Sequence, residues 1–262
     1  MTETFDRQAG AGAICPDLDG KVAVVTGGSR GIGAATARAL AANGVEVAVV
    51  GRDRAAVDAV AADIRDLGGK AIAIAADCTV DDDLHRLRAE VHADLGRVDI
   101  LATFAGGNGQ PVPTTTETAE HWRRVLDGDL TATFLTISAF LDDLTAGGGS
   151  IVTMASSAAR EPTDANAAYA AAKSGVMGLT RHLAGELAPH GVRVNCLSPA
   201  TIETERMRAY TSDEVRARLA AGFPLGRLGQ PQDVAAAALF FASGASSWIT
   251  GVTLDVAGGH IV

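Results

Sequence analysis

The sequence predicts an α/β fold, a doubly wound parallel sheet of about seven strands with helices on both faces. Three observations carry that expectation. Short β-branched runs alternate with alanine-rich helical stretches along nearly the whole chain, an order that pairs strands in parallel through right-handed crossovers. The strand runs are continuously apolar, as in a sheet covered on both faces. Composition agrees: 47% of the residues are hydrophobic but only 4% aromatic, so small side chains dominate the packing.

Met1 to Asp19 lacks any period and reads as a loose extension before a single domain, 20–262. The first strand is Lys21–Thr26. Its helix, Ile32–Ala42, stops at Asn43-Gly44. Strand Glu46–Val50 leads to helix Arg54–Leu67, which breaks at Gly68-Gly69. Strand Lys70–Ala75 precedes helix Asp81–Leu95, and strand Val98–Phe104 runs into Ala105-Gly106-Gly107. A long helix, Ala119–Leu144, carries a weak point at Gly128. Strand Ser150–Ala155, helix Ala167–Ala188 and strand Arg193–Leu197 follow. The segment Glu203–Arg227 reads either as a lid or as a surface helical pair, before helix Asp233–Ala242 and strand Thr253–Val256.

Where the first strand meets its helix stands Thr26-Gly-Gly-Ser-Arg-Gly-Ile-Gly33. A dinucleotide's pyrophosphate needs backbone N–H groups at a helix start and no Cβ in the way, which Gly27, Gly31 and Gly33 provide alongside Ser29, Arg30 and Ile32. The fold is therefore expected to be Rossmann-like. The second strand ends in Val50-Gly51-Arg52, with glycine where an acid holding the 2′-hydroxyl of NAD would sit. Arg30 and Arg52 suit a 2′-phosphate, so NADP is expected ahead of NAD. Asp53 is the alternative, as a ribose acceptor.

Tyr169 and Lys173, four apart, share a helix face. A phenol is a weak acid, with a pKa of about 10. An ammonium beside it stabilises the phenolate, so the oxygen can exchange a proton with an alcohol or ketone while hydride moves. Ser156 lies thirteen residues upstream at the end of the fifth strand, placed to hydrogen-bond the substrate oxygen; neighbouring Ser157 is its competitor.

On these pieces the chain resembles the short-chain dehydrogenase/reductase family from about Leu18 to Val262. The resemblance implies an oxidoreductase acting on a secondary alcohol or ketone, a 3-oxoacyl thioester among the substrates. It implies adenine contacts at Asp77 and Cys78, ribose contacts at Ala105 and Gly106, and nicotinamide contacts at Pro199, Ile202 and Thr204. Lys173 would also bind ribose hydroxyls. It further implies pairing of the long helices 119–144 and 167–188 into a tetramer or dimer.

Three positions depart from the family's pattern: Thr103-Phe104 before Ala105-Gly106, Ala200 after Pro199, and Asp129. The last takes the place of a fourth catalytic residue, an asparagine that helps hold a water beside the lysine. Near-isosterism leads to the expectation that Asp129→Asn retains or raises turnover. A non-catalytic nucleotide sensor and an epimerase or dehydratase of related fold stay open as alternatives.

Net charge is −9 with scattered basic residues, which argues against a nucleic-acid groove. No apolar run is long enough for a membrane helix, and the N-terminus has no apolar leader. Cys15, Cys78 and Cys196 are far apart, and the six histidines show no ligand spacing, so neither disulfide nor metal is expected and the cytoplasm is the expected compartment. The partner is a small-molecule substrate.

Overall fold

A computed structural model describes residues 14–260. Seven parallel strands form one sheet in the order β3-β2-β1-β4-β5-β6-β7. They are β1 (Val22–Thr26), β2 (Glu46–Gly51), β3 (Ala71–Ala75), β4 (Ile100–Thr103), β5 (Gly149–Met154), β6 (Val192–Pro199) and β7 (Thr253–Val256). The crossovers are α1 (Gly31–Ala41), α2 (Arg54–Asp66), α3 (Asp81–Asp94), α4 (Ala119–Leu126) continuing into α5 (Ala132–Gly147), and α6 (Ala167–Leu187). After β6 come α7 (Glu205–Tyr210), α8 (Asp213–Ala220) and α9 (Pro231–Ala242). Every residue of β1 is buried, as a central strand with helices on both faces requires.

The expected elements are all present, with shifted edges. β6 runs to Pro199 rather than Leu197, because Val192–Leu197 pairs with β5 while Cys196–Pro199 pairs with β7. The long helix is interrupted at its glycine, where Asp127–Thr131 forms a π-helical turn between α4 and α5. Such one-turn widenings redirect a side chain inward; here that side chain is Asp129, fully buried. The reading of 1–19 as a loose extension needs correction at its end. Residues 1–13 lie outside the described residues, but Cys15 and Leu18 are buried against Ala37, Leu40 and Leu239, and Asp17 accepts a hydrogen bond from the Gly244 N–H at 2.7 Å. Leu18 is apolar surface that the α1–α9 face can bury, so the fold begins by residue 15. Among the described residues no helix is long and apolar enough to cross a membrane.

One buried carboxylate ties the sheet to its helices. Asp143 on α5 meets Arg88 Nη2 at 3.1 Å and His92 Nε2 at 2.6 Å on α3, and accepts the Val98 N–H at 3.3 Å. Burial works against its charge, but these donors outweigh burial and hold its carboxyl below the usual carboxylate range. Its contribution is therefore present above that range and lost as pH falls through the lowered value. Urea unfolding of Asp143→Asn near neutral pH is expected to show a loss of roughly 2 kcal/mol, discounted for the partly exposed partners. The two proteins should converge in acid; equal stability at neutral pH would contradict this role.

Candidate active site

The strand order turns outward in both directions from β1 and β4, and ligands of open α/β sheets bind at that switch point beyond the carboxyl ends of the strands. A cleft of about 1520 Å³ opens there. The turn after β1 contributes Gly27, Ser29, Arg30, Gly31, Ile32 and Gly33, and the end of β2 contributes Arg52. Asp77 and Cys78 enter after β3, Ala105 and Gly106 after β4, and Ser156 after β5. Tyr169 and Lys173 reach in from α6, and Pro199, Ile202 and Thr204 follow β6. Of the expected catalytic and cofactor-binding residues, Asp129 alone does not line the cleft; it stands behind Lys173.

Close approach explains the glycine turn. Gly27 has φ +66°, and a Cβ there would press on the Phe104 carbonyl; a Cβ on Gly33 would run into the Gly27 carbonyl. Thr26 fixes the neighbouring strand end, its hydroxyl accepting the N–H groups of Phe104 at 3.1 Å and Ala105 at 3.2 Å. Phe104, at one of the departures, is partly buried against the core clusters on either side of this turn. At the adenosine end, Asp53 is already engaged. It caps α2 through the Ala56 N–H at 3.2 Å and pairs with Arg30 Nη2 at 2.9 Å. Cys78 is buried, which pushes its thiol up to about 11, with a Thr136 hydrogen bond pulling the other way. It is a neutral packing group whose backbone is what the cleft can use.

Helix α6 is placed by its cap. Asn166 accepts the Tyr169 N–H at 2.8 Å and donates to the carbonyls of Asn108 and Gln110, both at 2.8 Å. Ser156 is half-buried on the cleft whereas Ser157 is buried, which separates the two serines. Lys173, only 3% exposed, donates to the Met154 carbonyl at 3.0 Å and to Asp129 Oδ1 at 3.2 Å, with Nζ 5.5 Å from the centre of the Tyr169 ring. Burial opposes its charge, but Tyr169 and Asp129 more than offset that, and Lys173 is raised above the ordinary lysine range.

Asp129 receives further hydrogen bonds from the N–H groups of Gly107 at 2.7 Å and Asn108 at 3.1 Å, and from Asn108 Nδ2 at 2.7 Å. With Lys173, every neighbour is a donor. A carboxylate can accept from all of them, whereas an amide must turn an NH₂ toward one. This donor set argues for the opposite of the expectation that Asp129→Asn retains or raises turnover.

Sequence reasoning missed Asn108, Asn166 and the Met154 carbonyl. Asn166, three residues before Tyr169, carries a recognisable cap signal; Asn108 carries none. The segment 203–227 is a surface helical pair without buried helix residues, yet α7 also borders the cleft, and Arg206 donates to the Gly107 carbonyl at 3.2 Å across it.

A family model described as enoyl-(acyl carrier protein) reductase matches residues 27–260. The chain is 39% identical to cis-4-hydroxycyclohexanecarboxylate dehydrogenase of Sinomonas cyclohexanicum, over 92% of this chain and 96% of that one. A crystal structure of a 3-oxoacyl-[acyl-carrier protein] reductase from Brucella melitensis matches with a TM-score of 0.88 at 36% identity, covering 94% and 93% of the two chains. A 7α-hydroxysteroid dehydrogenase complexed with NADH and 7-oxo glycochenodeoxycholic acid matches with a TM-score of 0.88 at 35% identity, covering 93% and 96%. The chain belongs to the short-chain dehydrogenase/reductase family. It is an oxidoreductase of that family.

Substituting Asp129→Asn is expected to lower kcat by roughly tenfold, because the amide must turn an NH₂ toward one of these donors and the anchorage of Lys173 loosens. Steady-state kinetics of a variant with an unchanged melting curve checks this, and wild-type turnover would contradict it.

Proposed function

We propose that the protein moves hydride between NADP(H) and a secondary alcohol or its ketone, with Tyr169 as the proton-exchanging group. The observation that carries this reading is the convergence of Ser156, Tyr169 and Lys173 on the same cleft as the glycine turn. A nicotinamide bound there supplies or accepts the hydride. The Ser156 hydroxyl donates to the substrate oxygen and holds it beside the phenol. Tyr169 gives that oxygen a proton as a ketone is reduced and takes one back as an alcohol is oxidised. The Lys173 ammonium stabilises the intervening phenolate from below the ring. Pro199, Ile202 and Thr204 border the nicotinamide end, Asp77 and the Cys78 backbone the adenine end.

Support for NADP comes from the chain itself. Gly51 offers no acid to a 2′-hydroxyl, Asp53 is spent on the α2 cap and on Arg30, and no ion pair engages Arg52 among the described residues. The steroid dehydrogenase structure, by contrast, carries NADH, so the preference rests on Gly51 and Arg52, with Arg30 available only by giving up Asp53. As to substrate, one relative is named for a hydroxycyclohexanecarboxylate and a solved structure holds an oxo bile acid, which supports a ring alcohol or ketone first. The 3-oxoacyl thioester is the second reading, supported by the Brucella neighbour.

Tyr169→Phe should lower kcat by about 100-fold or more on any accepted substrate while leaving NADPH affinity within a few-fold. Arg52→Ala should weaken NADPH by about tenfold and NADH little. Nicotinamide absorbance over a panel of ring ketones and a 3-oxoacyl thioester, with fluorescence titration of both cofactors, reads these effects. Turnover unaffected in Tyr169→Phe overturns the proton role, and tighter NADH than NADPH overturns the cofactor preference.

A further inference from the structure

The loop between β4 and α4 begins against the glycine turn and runs on to Asp129 and the start of α6. Asn108, on that loop, lies outside the substrate-oxygen chemistry described above, yet it holds both halves of the site. Its side-chain amide donates to Asp129 Oδ2 at 2.7 Å and its N–H to the same oxygen at 3.1 Å. Its carbonyl accepts from Asn166, the cap of the helix that carries Tyr169 and Lys173. Two glycines make the room. Gly106, at φ +130°, has a would-be Cβ in collision with the Asp129 carboxylate, and a Cβ on Gly128 would lie 2.8 Å from Asn108 Nδ2. The next residue along, Gly109, packs against the Tyr169 ring, where a Cβ would come within 3.1 Å.

We propose that Asn108 is a positioning residue: it orients the Asp129 carboxylate onto Lys173 and locks the π-helical turn to the start of the catalytic helix. The inference rests on the oxidoreductase reading of the site. Asn108 touches neither Tyr169 Oη nor the reacting atoms, so it acts through Asp129. A neutral donor is required there, because Asp129 is sealed from water and a partner lost from a buried carboxylate is not replaced by solvent. Misplacing Lys173 by a fraction of an ångström weakens its field at the phenol without emptying the cofactor cleft, so the cost should fall on kcat.

Asn108→Ala and Asn108→Asp test this with the full-length enzyme. The alanine variant should lose about tenfold in kcat, with KM and NADPH affinity within about twofold of wild type. The aspartate variant places a second carboxyl against Asp129, in a surrounding whose other charged or titratable groups include Lys173 and Tyr169 on α6, Cys196 on β6, Arg206 on α7 and, along the same cleft, Glu120, Arg123 and Arg124 on α4 and Asp127 on the π turn. Two carboxylates in contact cannot both ionise freely. While the introduced carboxyl keeps its proton it can still donate to Asp129; once ionised it repels it. Its kcat should therefore fall as pH rises through a new ionisation that the wild type lacks, a limb that a merely structural defect does not create. Overlapping wild-type and Asn108→Asp profiles, or an Asn108→Ala kcat equal to wild type, would overturn the inference while leaving the Tyr169 reading intact. Loss of the Tyr169 dependence itself would overturn both.

Discussion

Lys173 carries a positive charge almost sealed from water, and the part of the molecule around it is arranged to keep it there. Desolvating an ammonium costs several kcal/mol unless partners recover it. The partners come from three separate parts of the chain: the Met154 carbonyl at the end of β5, Asp129 from the widened turn between α4 and α5, and the Tyr169 ring one helical turn away. Remove the widening at Asp127–Thr131 and Asp129 no longer faces inward. Remove the Asn166 cap and the register that sets Tyr169 beside the cleft loses its anchor.

The raised Lys173 value has a definite consequence for the fold. A group held above its unfolded value adds stability in full below that value, and the contribution fades as pH climbs through the folded one. The pair thus stabilises the protein throughout the range in which a nicotinamide enzyme works. A price is paid in field strength, because a carboxylate 3.2 Å from the ammonium cancels part of what reaches the phenol. The cleft's other end is built on different physics: tight backbone approach at Gly27 and Gly33, and guanidiniums at the rim.

Much of this was legible in the residues. The alternation of strands and helices, the glycine turn and the four-residue spacing of Tyr169 and Lys173 are local patterns, and local patterns survive into structure. Ser156 could be preferred to Ser157 from spacing alone, and burial supports that choice. Asp129 stood out as a departure, but near-isosterism with asparagine says nothing about who donates to it. That depends on Gly107 and Asn108, which reach it from more than twenty residues away. Greater separation still hid the docking of Cys15 and Leu18, whose segment has no period and packs in one cluster with α1 and α9. The weak point at Gly128 was visible; that it becomes a π turn rather than a bend was not, since the choice follows from packing around a carboxylate.

The most direct test of this account is the protonation of Lys173, read by nitrogen-15 NMR of lysine-labelled protein with the signal assigned by its absence in Lys173→Arg. The account predicts a protected ammonium resonance that persists above the ordinary lysine range of about 10.4. A Lys173 that loses its proton below that range would contradict it, because burial would then outweigh Asp129 and Tyr169.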